Sequence, residues 1–396
     1  MKQIFQNASP VLPLAFIFYL NFLSRILIAP LLPAIKSELE VSSGQSGMIF
    51  LFITCGYFIA ITLSGFLSAR ISHRKAIVFS ALSTGCCMIL MAFSSTIRGF
   101  CLTGFMLGLG AGFYLPSGIA TITARYAEKH WGKVIGIHEL APNLGTLTAP
   151  FIVAIVAGYL PYRYIFLACA ILVFAAAFIF NRSETGRADI YGTPPVFKHC
   201  NRLLRMRAFW MMVILFSLGI TAALGLYNML PLFLVSEHNM SSVEANSLIA
   251  ISRVATLFTA IAGGWLADRA GACATMGAAL LLSGIASAGI GVSDGSSIRI
   301  FVMLQPVMAV AFFPAAFKMM SGIRAEGGGD LVVALVVPMA YMIGGGLTPA
   351  VMGHAADLGF FRQCFIICGI MITSGVIPVI FLWKAEAGKK RYMRAP

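Results

Sequence analysis

The sequence predicts an all-α polytopic membrane protein: twelve transmembrane helices arranged as two pseudo-symmetric six-helix bundles. Three observations lead there. The 396-residue chain is 59% hydrophobic and only 11% charged, with a mean hydropathy of +0.90, whereas soluble domains carry about a quarter charged residues. Apolar runs of about 20 residues, long enough to cross a bilayer, recur between charged punctuation. A shift of 198 or 199 residues also lays the second half of the chain over the first.

The predicted spans, in order, are 11–33, 46–69, 76–95, 99–121, 134–158, 162–181, 208–234, 243–266, 273–293, 298–319, 331–354 and 361–383. Before the first of them Lys2 is the only cation, and no small-residue cleavage site follows the apolar run, so the run is expected to be a retained helix rather than a cleaved signal. The longest polar connection runs from Asn181 to Arg207 and carries Gly, Pro and six Lys/Arg. It divides the chain into an N-terminal bundle (1–181), a cytoplasmic linker (182–207) and a C-terminal bundle (208–396).

The repeat supports that division. Pro33 overlays Pro231, Gly65-Phe-Leu-Ser-Ala-Arg overlays Gly264-Trp-Leu-Ala-Asp-Arg, Pro116 overlays Pro314, and Pro150 overlays Pro349. Matches at one offset, spread over a whole half, point to two parallel six-helix repeats. In transporters built this way the site lies near mid-membrane between the repeats.

Charge sets the expected orientation. The formal net charge is +14, but of the 28 Lys/Arg twenty fall in loops on the side of the termini, five on the opposite side and three inside spans. That bias places both termini in the cytoplasm of a bacterial inner membrane, and it explains the basic surplus without nucleic acid. The nine cysteines lie mostly in apolar runs, without a C-x-x-C pair or metal-ligand spacing. There is no nucleophile–base pair, His-Glu zinc motif or phosphate loop, so no enzyme, metal or cofactor is expected.

The loops after the second and eighth spans resemble the signature loop of the major facilitator superfamily, Gly-x-Leu-Ala-Asp-Arg-x-Gly-Arg-Arg/Lys. Gly264-Trp-Leu-Ala-Asp268-Arg269-Ala-Gly271 matches through its glycine and lacks the basic pair. Gly65-Phe-Leu-Ser-Ala69-Arg70-Ile-Ser-His-Arg74-Lys75 keeps the basic end but has Ala69 in place of the aspartate. The resemblance implies a cytoplasmic latch built from Asp268, Arg269, Arg70, Arg74 and Lys75. Two family features are altered. The fourth-helix arginine falls at Gly104, before Gly108-Leu-Gly110-Ala-Gly112, and the fifth-helix antiporter motif is only half present in Ala141-Pro142-Asn143-Leu144-Gly145.

Arg25 and Arg253 each stand deep in an apolar run, and Glu139 is the one acid at comparable depth. An ionised side chain there costs about 2.5–3.5 kcal/mol by insertion scales, so it marks a cavity or a partner. Two arginines against one carboxylate leave a positive surplus suited to an anion, which a guanidinium grips through two parallel hydrogen bonds. In the resembled family, members carrying organic anions often use arginines at this depth. Asn21, Tyr19, Tyr114, Tyr227, Asn228 and Tyr341, the last beside Gly344-Gly345-Gly346, are the expected cavity lining. Glu139 and His138 are the proton-coupling candidates, because burial and a nearby arginine pull on a carboxylate in opposite directions. Lys318 is expected to snorkel to headgroups. The expectation is therefore a monomeric, lipid-embedded secondary transporter of a small anionic substrate with protons, by symport. A proton-driven drug or metabolite exporter and a non-transporting sensor are the alternatives. Arg25 maps onto Ala223 and Arg253 onto Cys55 under the repeat, so the two arginines are not a duplicated pair.

Overall fold

The computed structural model describes residues 11–183, 189–192, 203–321 and 328–392. Of the predicted linker, 184–188 and 193–202 lie outside the described residues. Among the described residues, twelve helices are long and apolar enough to cross a membrane: α1 (Leu12–Leu39), α2 (Ser43–Ile71), α3 (His73–Phe93), α4 (Ile97–Arg125), α5 (Val134–Val156), α6 (Tyr162–Ser183), α7 (Arg207–His238), α8 (Ser242–Arg269), α9 (Ala272–Val292), α10 (Ser297–Ser321), α11 (Val332–Asp357) and α12 (Phe361–Lys384). Every predicted span is present, and most are a few residues longer. The extensions are polar turns held by caps that hydropathy does not register. Ser42 and Gln45 form a capping box at the start of α2, and the Thr96 and Ser241 hydroxyls cap α4 and α8.

Helical order lapses for one residue at Leu27, Phe113, Glu139, Ala311 and Gly375. In each case a proline lies three residues on: Pro30, Pro116, Pro142, Pro314 and Pro378. Proline cannot donate to the carbonyl four residues back, so the ladder opens there and the ring settles into the first turn of the next segment. The break at Ala255 has no such proline. Phe113 and Ala311 stand 198 residues apart, and the position equivalent to Leu27 is Gly225, the end of a π-helical turn at Thr221–Gly225 in α7. The repeat is thus visible in the interruptions of the helices as well as in their sequences. A second π turn, Met342–Leu347, lies in α11.

Within the first six helices α2 packs along α4, α3 along α6 and α1 along α5; within the last six α9 packs on α10 and α12, and α7 on α11. The α2–α4 seam is close because Gly104, Gly108 and Gly112 form a stripe on α4. A Cβ on Gly108 would lie 2.0 Å from the Ile53 carbonyl oxygen, and one on Gly56 would lie 2.1 Å from that of Phe105. The glycine run that follows the absent fourth-helix arginine is therefore a packing device.

The start of α1 and the end of α12 lie at one face of the bundle, the terminal face, opposite a distal face. The two halves meet through α2 with α11, α5 with α8 and α1 with α7, and these contacts concentrate on the distal side. Ser242–Val254 of α8 packs closely on Leu140–Val156 of α5, whereas Thr256–Arg269 barely touches it; Leu226–His238 of α7 packs on Ile28–Leu39 of α1. At the distal face the Asp357 carboxylate accepts from Ser43 N (2.7 Å) and Gly44 N (2.9 Å), the free donors at the start of α2. Lys36 donates to the Ser43 hydroxyl at 2.9 Å. The halves are clasped distally and separate toward the terminal face.

Candidate functional site

Arg25 occupies the last turn before the Leu27 break, is 5% exposed and donates from Nη1 to Tyr341 Oη of α11 at 3.2 Å. Its guanidinium lies 4.2 Å from the ring centroid of Tyr57, 5.3 Å from that of Phe22 and 5.6 Å from that of Tyr341. A desolvated cation–π contact is worth about 2 kcal/mol, which offsets much of the insertion cost. Its Nε also donates to the Asn21 carbonyl at 3.4 Å, so the first half holds a boxed cation with one hydrogen bond in its own helix and one reaching into the second half.

Arg253 is 3% exposed. Its guanidinium lies 4.6 Å from the Tyr227 ring centroid and reaches the Ala223 carbonyl only at 3.5 Å, while its Nε and Tyr227 Oη are buried without hydrogen-bond partners. Leaving such a group unpaired costs about 1–3 kcal/mol, more when it is charged. Among the described residues neither Arg25 nor Arg253 makes an ion pair. Glu139, the one expected internal counter-ion, pairs elsewhere.

The two arginines share a depth. Asn246 of α8 donates to the Pro30 carbonyl of α1 at 3.2 Å and fixes the register of the two helices. From that contact Arg25 lies five residues and Arg253 seven residues toward the terminal face, about 7.5 and 10.5 Å at 1.5 Å per residue. The acceptor that Arg253 approaches, Ala223, is the residue that Arg25 maps onto under the repeat. Two guanidiniums borne by non-equivalent helices therefore approach equivalent places in the two halves, and each lies over a tyrosine.

Glu139 departs from its expected burial. It occupies the break between the two segments of α5, and its side chain is 47% exposed. The Pro142 interruption turns it out of the packed interior, while its neighbour His138 is fully buried. His138 Nδ1 lies 3.2 Å from Glu139 Oε1, and Nε2 lies 3.1 Å from Tyr114 Oη. Tyr114 also bonds the Leu14 carbonyl, so it ties α1, α4 and α5 together instead of lining a cavity.

Asn21 is likewise directed away from the cleft. It donates to Ser80 Oγ (3.3 Å) and the Ala111 carbonyl (3.1 Å), bridging α1 to α3 and α4, because polar atoms of both helices face it there. Asn228 is spent on the Gly345 carbonyl at 3.0 Å. Tyr19 bonds Thr148 Oγ1 at 2.9 Å, and Tyr227 forms the floor under Arg253. Of the expected lining, Tyr341 alone hydrogen-bonds a buried arginine across the two halves. Gly344 and Gly346 let α11 close on α7 and α2: a Cβ on the first would meet Thr221 N at 2.6 Å, and one on the second would meet Thr54 Oγ1.

Of the expected latch residues, Asp268, Arg269, Arg74 and Lys75 make their contacts within their own half or with the linker. Asp268 pairs with Lys318 at 2.6 Å, so Lys318 bridges α10 to α8 and does not extend to headgroups. Arg269 stacks on Trp265, Arg74 donates to Asn181, and exposed Arg70 ends α2. Lys75 lies 3.8 Å from Asp189, which also accepts from Ser72 Oγ. A carboxylate from the linker thus stands against the loop in which Ala69 replaced the aspartate. Sequence reading missed Tyr57, Asn246 and Asp357. Tyr57, a phenol inside an apolar span, was the detectable signal, but its arginine partner is 32 residues away and on another helix.

Twelve apolar helices, several of them interrupted, in two repeated halves around paired buried cations define a membrane transporter. The chain belongs to the Major Facilitator Superfamily, whose model matches residues 14–269 and 223–392. It is a non-enzymatic, multi-pass transporter of that family. It is 22% identical to the probable nitrate transporter NarT of Staphylococcus haemolyticus over 93% of this chain and 95% of that protein. It is 24% identical to the probable sulfoacetate transporter SauU of Cupriavidus necator over 40% of this chain and 37% of that protein. A third relative, the multidrug resistance protein MdtG of Proteus mirabilis, is 27% identical over 62% of this chain and 63% of that protein. Among solved structures, a bacterial homolog of the human lysosomal transporter Spinster, in an inward-facing and unoccupied conformation, superposes with a TM-score of 0.78 at 15% identity over 94% of this chain and 96% of that one.

Proposed function

We propose that this transporter carries a small organic anion together with protons, as a symporter working by alternating access. The observation that carries the reading is Arg253: a fully desolvated guanidinium with no carboxylate partner among the described residues and an orphaned Nε donor. An anion arriving in the cleft supplies the missing acceptor, and Arg25 meets it from the other half. The names of two relatives, for sulfoacetate and nitrate, agree with an anionic cargo. Glu139, half-exposed at the break in α5, is the coupling carboxylate.

On this reading the terminal face is cytoplasmic, by the excess of Lys/Arg there, in a bacterial inner membrane. Residues 1–181 and 208–396 rock as two bodies joined by the linker, and a monomer suffices. With the distal side clasped, the site opens to the cytoplasm. A second reading, a drug or metabolite exporter, is favoured by the half-motif at Ala141–Gly145 and by the likeness to MdtG.

The experiment is a thermal-shift screen of the purified protein against carboxylates, sulfonates, nitrate, phosphates and cationic drugs between about pH 5 and 8. Anion stabilisation that grows at low pH is the expected result; stabilisation by cations alone overturns it in favour of the exporter. Arg253→Gln is expected to abolish stabilisation by the active anion, a loss of more than about 2 kcal/mol, while membrane expression stays normal. Unchanged stabilisation would remove Arg253 from the site.

A further inference from the structure

We propose that His138 and Glu139 hold one exchangeable proton between them, and that Tyr114 is the positioning residue that makes this proton obligatory by fixing the His138 tautomer. The inference rests on the proton-coupling reading and deepens it.

The argument is a count of hydrogens. Tyr114 Oη bonds the Leu14 carbonyl. A carbonyl only accepts, so the single hydroxyl proton of Tyr114 points to Leu14. His138 Nε2 lies 3.1 Å from the same hydroxyl oxygen. That oxygen has no second proton to give, so it accepts from Nε2–H. The imidazole cannot turn over to exchange its nitrogens: it is fully buried and stacked on Phe18 at 4.5 Å and on Tyr114 at 5.8 Å, with interplanar angles of 7° and 8°.

On its other edge Nδ1 lies 3.2 Å from Glu139 Oε1. With Nε2 protonated, a neutral His138 presents a bare lone pair at Nδ1, and an ionised Glu139 presents another. The contact closes only when one proton sits between them, as imidazolium with carboxylate or as imidazole with carboxylic acid. Loss of that proton to water in the cleft leaves two lone pairs opposed. His138 is immobile and the Glu139 side chain is 47% exposed, so Glu139 is the partner that departs.

The titratable and charged groups on the elements packed against the pair decide where it goes. Glu128 and His130 belong to the short turn before α5, Arg125 ends α4, Tyr19 is tied to Thr148, and Tyr114 is committed to Leu14. On α8, which packs on Leu140–Val156, Glu244 is paired with Arg299 and Arg253 lies over Tyr227. Arg25, seven residues beyond Phe18 on the same face of α1, is the cation placed to receive the released carboxylate. An ionised Glu139 then competes with the transported anion for Arg25, and protonation clears Arg25 for it. The proton binds first and the anion second.

The test is 15N-histidine NMR of the purified full-length protein, with the His138 signals identified by their loss in His138→Gln, alongside proton release measured with a pH dye after an alkaline jump. The deprotonated wild type is expected to carry its proton on Nε2, and the proton release is expected to vanish in Glu139→Gln, whose amide donates to Nδ1 without titrating. In Tyr114→Phe the Nδ1–H tautomer becomes available and satisfies an ionised Glu139 directly, so the release should occur at lower pH than in the wild type. A wild-type Nδ1–H tautomer overturns the proposal, as does release unaltered in either variant. If Tyr114→Phe does not fold, the wild-type tautomer and Glu139→Gln decide. Uptake of nitrate and sulfoacetate into proteoliposomes separates the two levels: anion movement without protons, while the pair titrates as stated, overturns symport but leaves the shared proton in place.

Discussion

The two buried arginines are held differently, and that difference predicts how each responds to substitution. Arg25 lies flat over aromatic rings and hydrogen-bonds a phenol, so its planarity matters as much as its charge. Arg25→Lys keeps the charge and loses the stacking, and is expected to weaken anion binding about tenfold, near 1.4 kcal/mol, as read by calorimetric titration with the active anion. Arg253 has fewer partners and a free donor, so Arg253→Lys should lose the directed second hydrogen bond and bind still more weakly in the same titration. Equal affinities for the two lysine variants would contradict the asymmetry seen in their surroundings. The arginines themselves were legible from sequence, since a charge in an apolar run is conspicuous by its cost. Glu139 was legible as an acid but not as an exposed one, because its exposure follows from the break in α5 ahead of Pro142 and from how α5 is turned against its neighbours.

At the scale of elements, glycine and proline decide how the helices bend and how closely they approach. Gly108 lies against the backbone of α2, where a Cβ would meet a carbonyl oxygen that cannot move aside. Gly108→Ala is expected to lower stability by about 1–3 kcal/mol, seen as a lower Tm in detergent. Gly136, in the first segment of α5, has nothing within 4 Å of its would-be Cβ. Gly136→Ala should leave Tm unchanged or raise it, since Ala gains up to about 1 kcal/mol over Gly in a helix. A fall in Tm at Gly136 as large as that at Gly108 would refute the packing account. The prolines were visible in the sequence together with their repeat spacing; the π turns of α7 and α11 were not, since they form where the two helices press on one another through Gly225 and Gly344.

For the whole molecule, alternating access is a balance between the distal clasp and the terminal loops. Asp357 holds the start of α2 across the halves, whereas the signature-loop contacts stay within a half or with the linker. Asp357→Ala is expected to cost the clasped state about 1–2 kcal/mol and to shift the population toward a form open at the distal face. Spin labels on the distal ends of α2 and α11 would report this as a new, longer distance; an unaltered distribution would show that packing alone keeps that side closed. The linker carboxylate Asp189, standing near the site of the missing aspartate, could not be read from the sequence, because 120 residues separate it from Ala69.

By itself the sequence determined the span count, the helical class, the doubled architecture, the family and the two buried cations. All of these follow from local hydropathy, from the price of charge in hydrocarbon, or from a repeat along one dimension. Only the tertiary structure decided which polar residues face the cleft and which are spent between helices. Asn21, Tyr114 and Asn228 proved to be bridges, and Tyr57, Asn246 and Asp357 emerged as partners. The reason is geometric. A polar side chain in a membrane helix must find a partner, and that partner sits on another helix, at a register and rotation set by glycine contacts and proline breaks from distant parts of the chain.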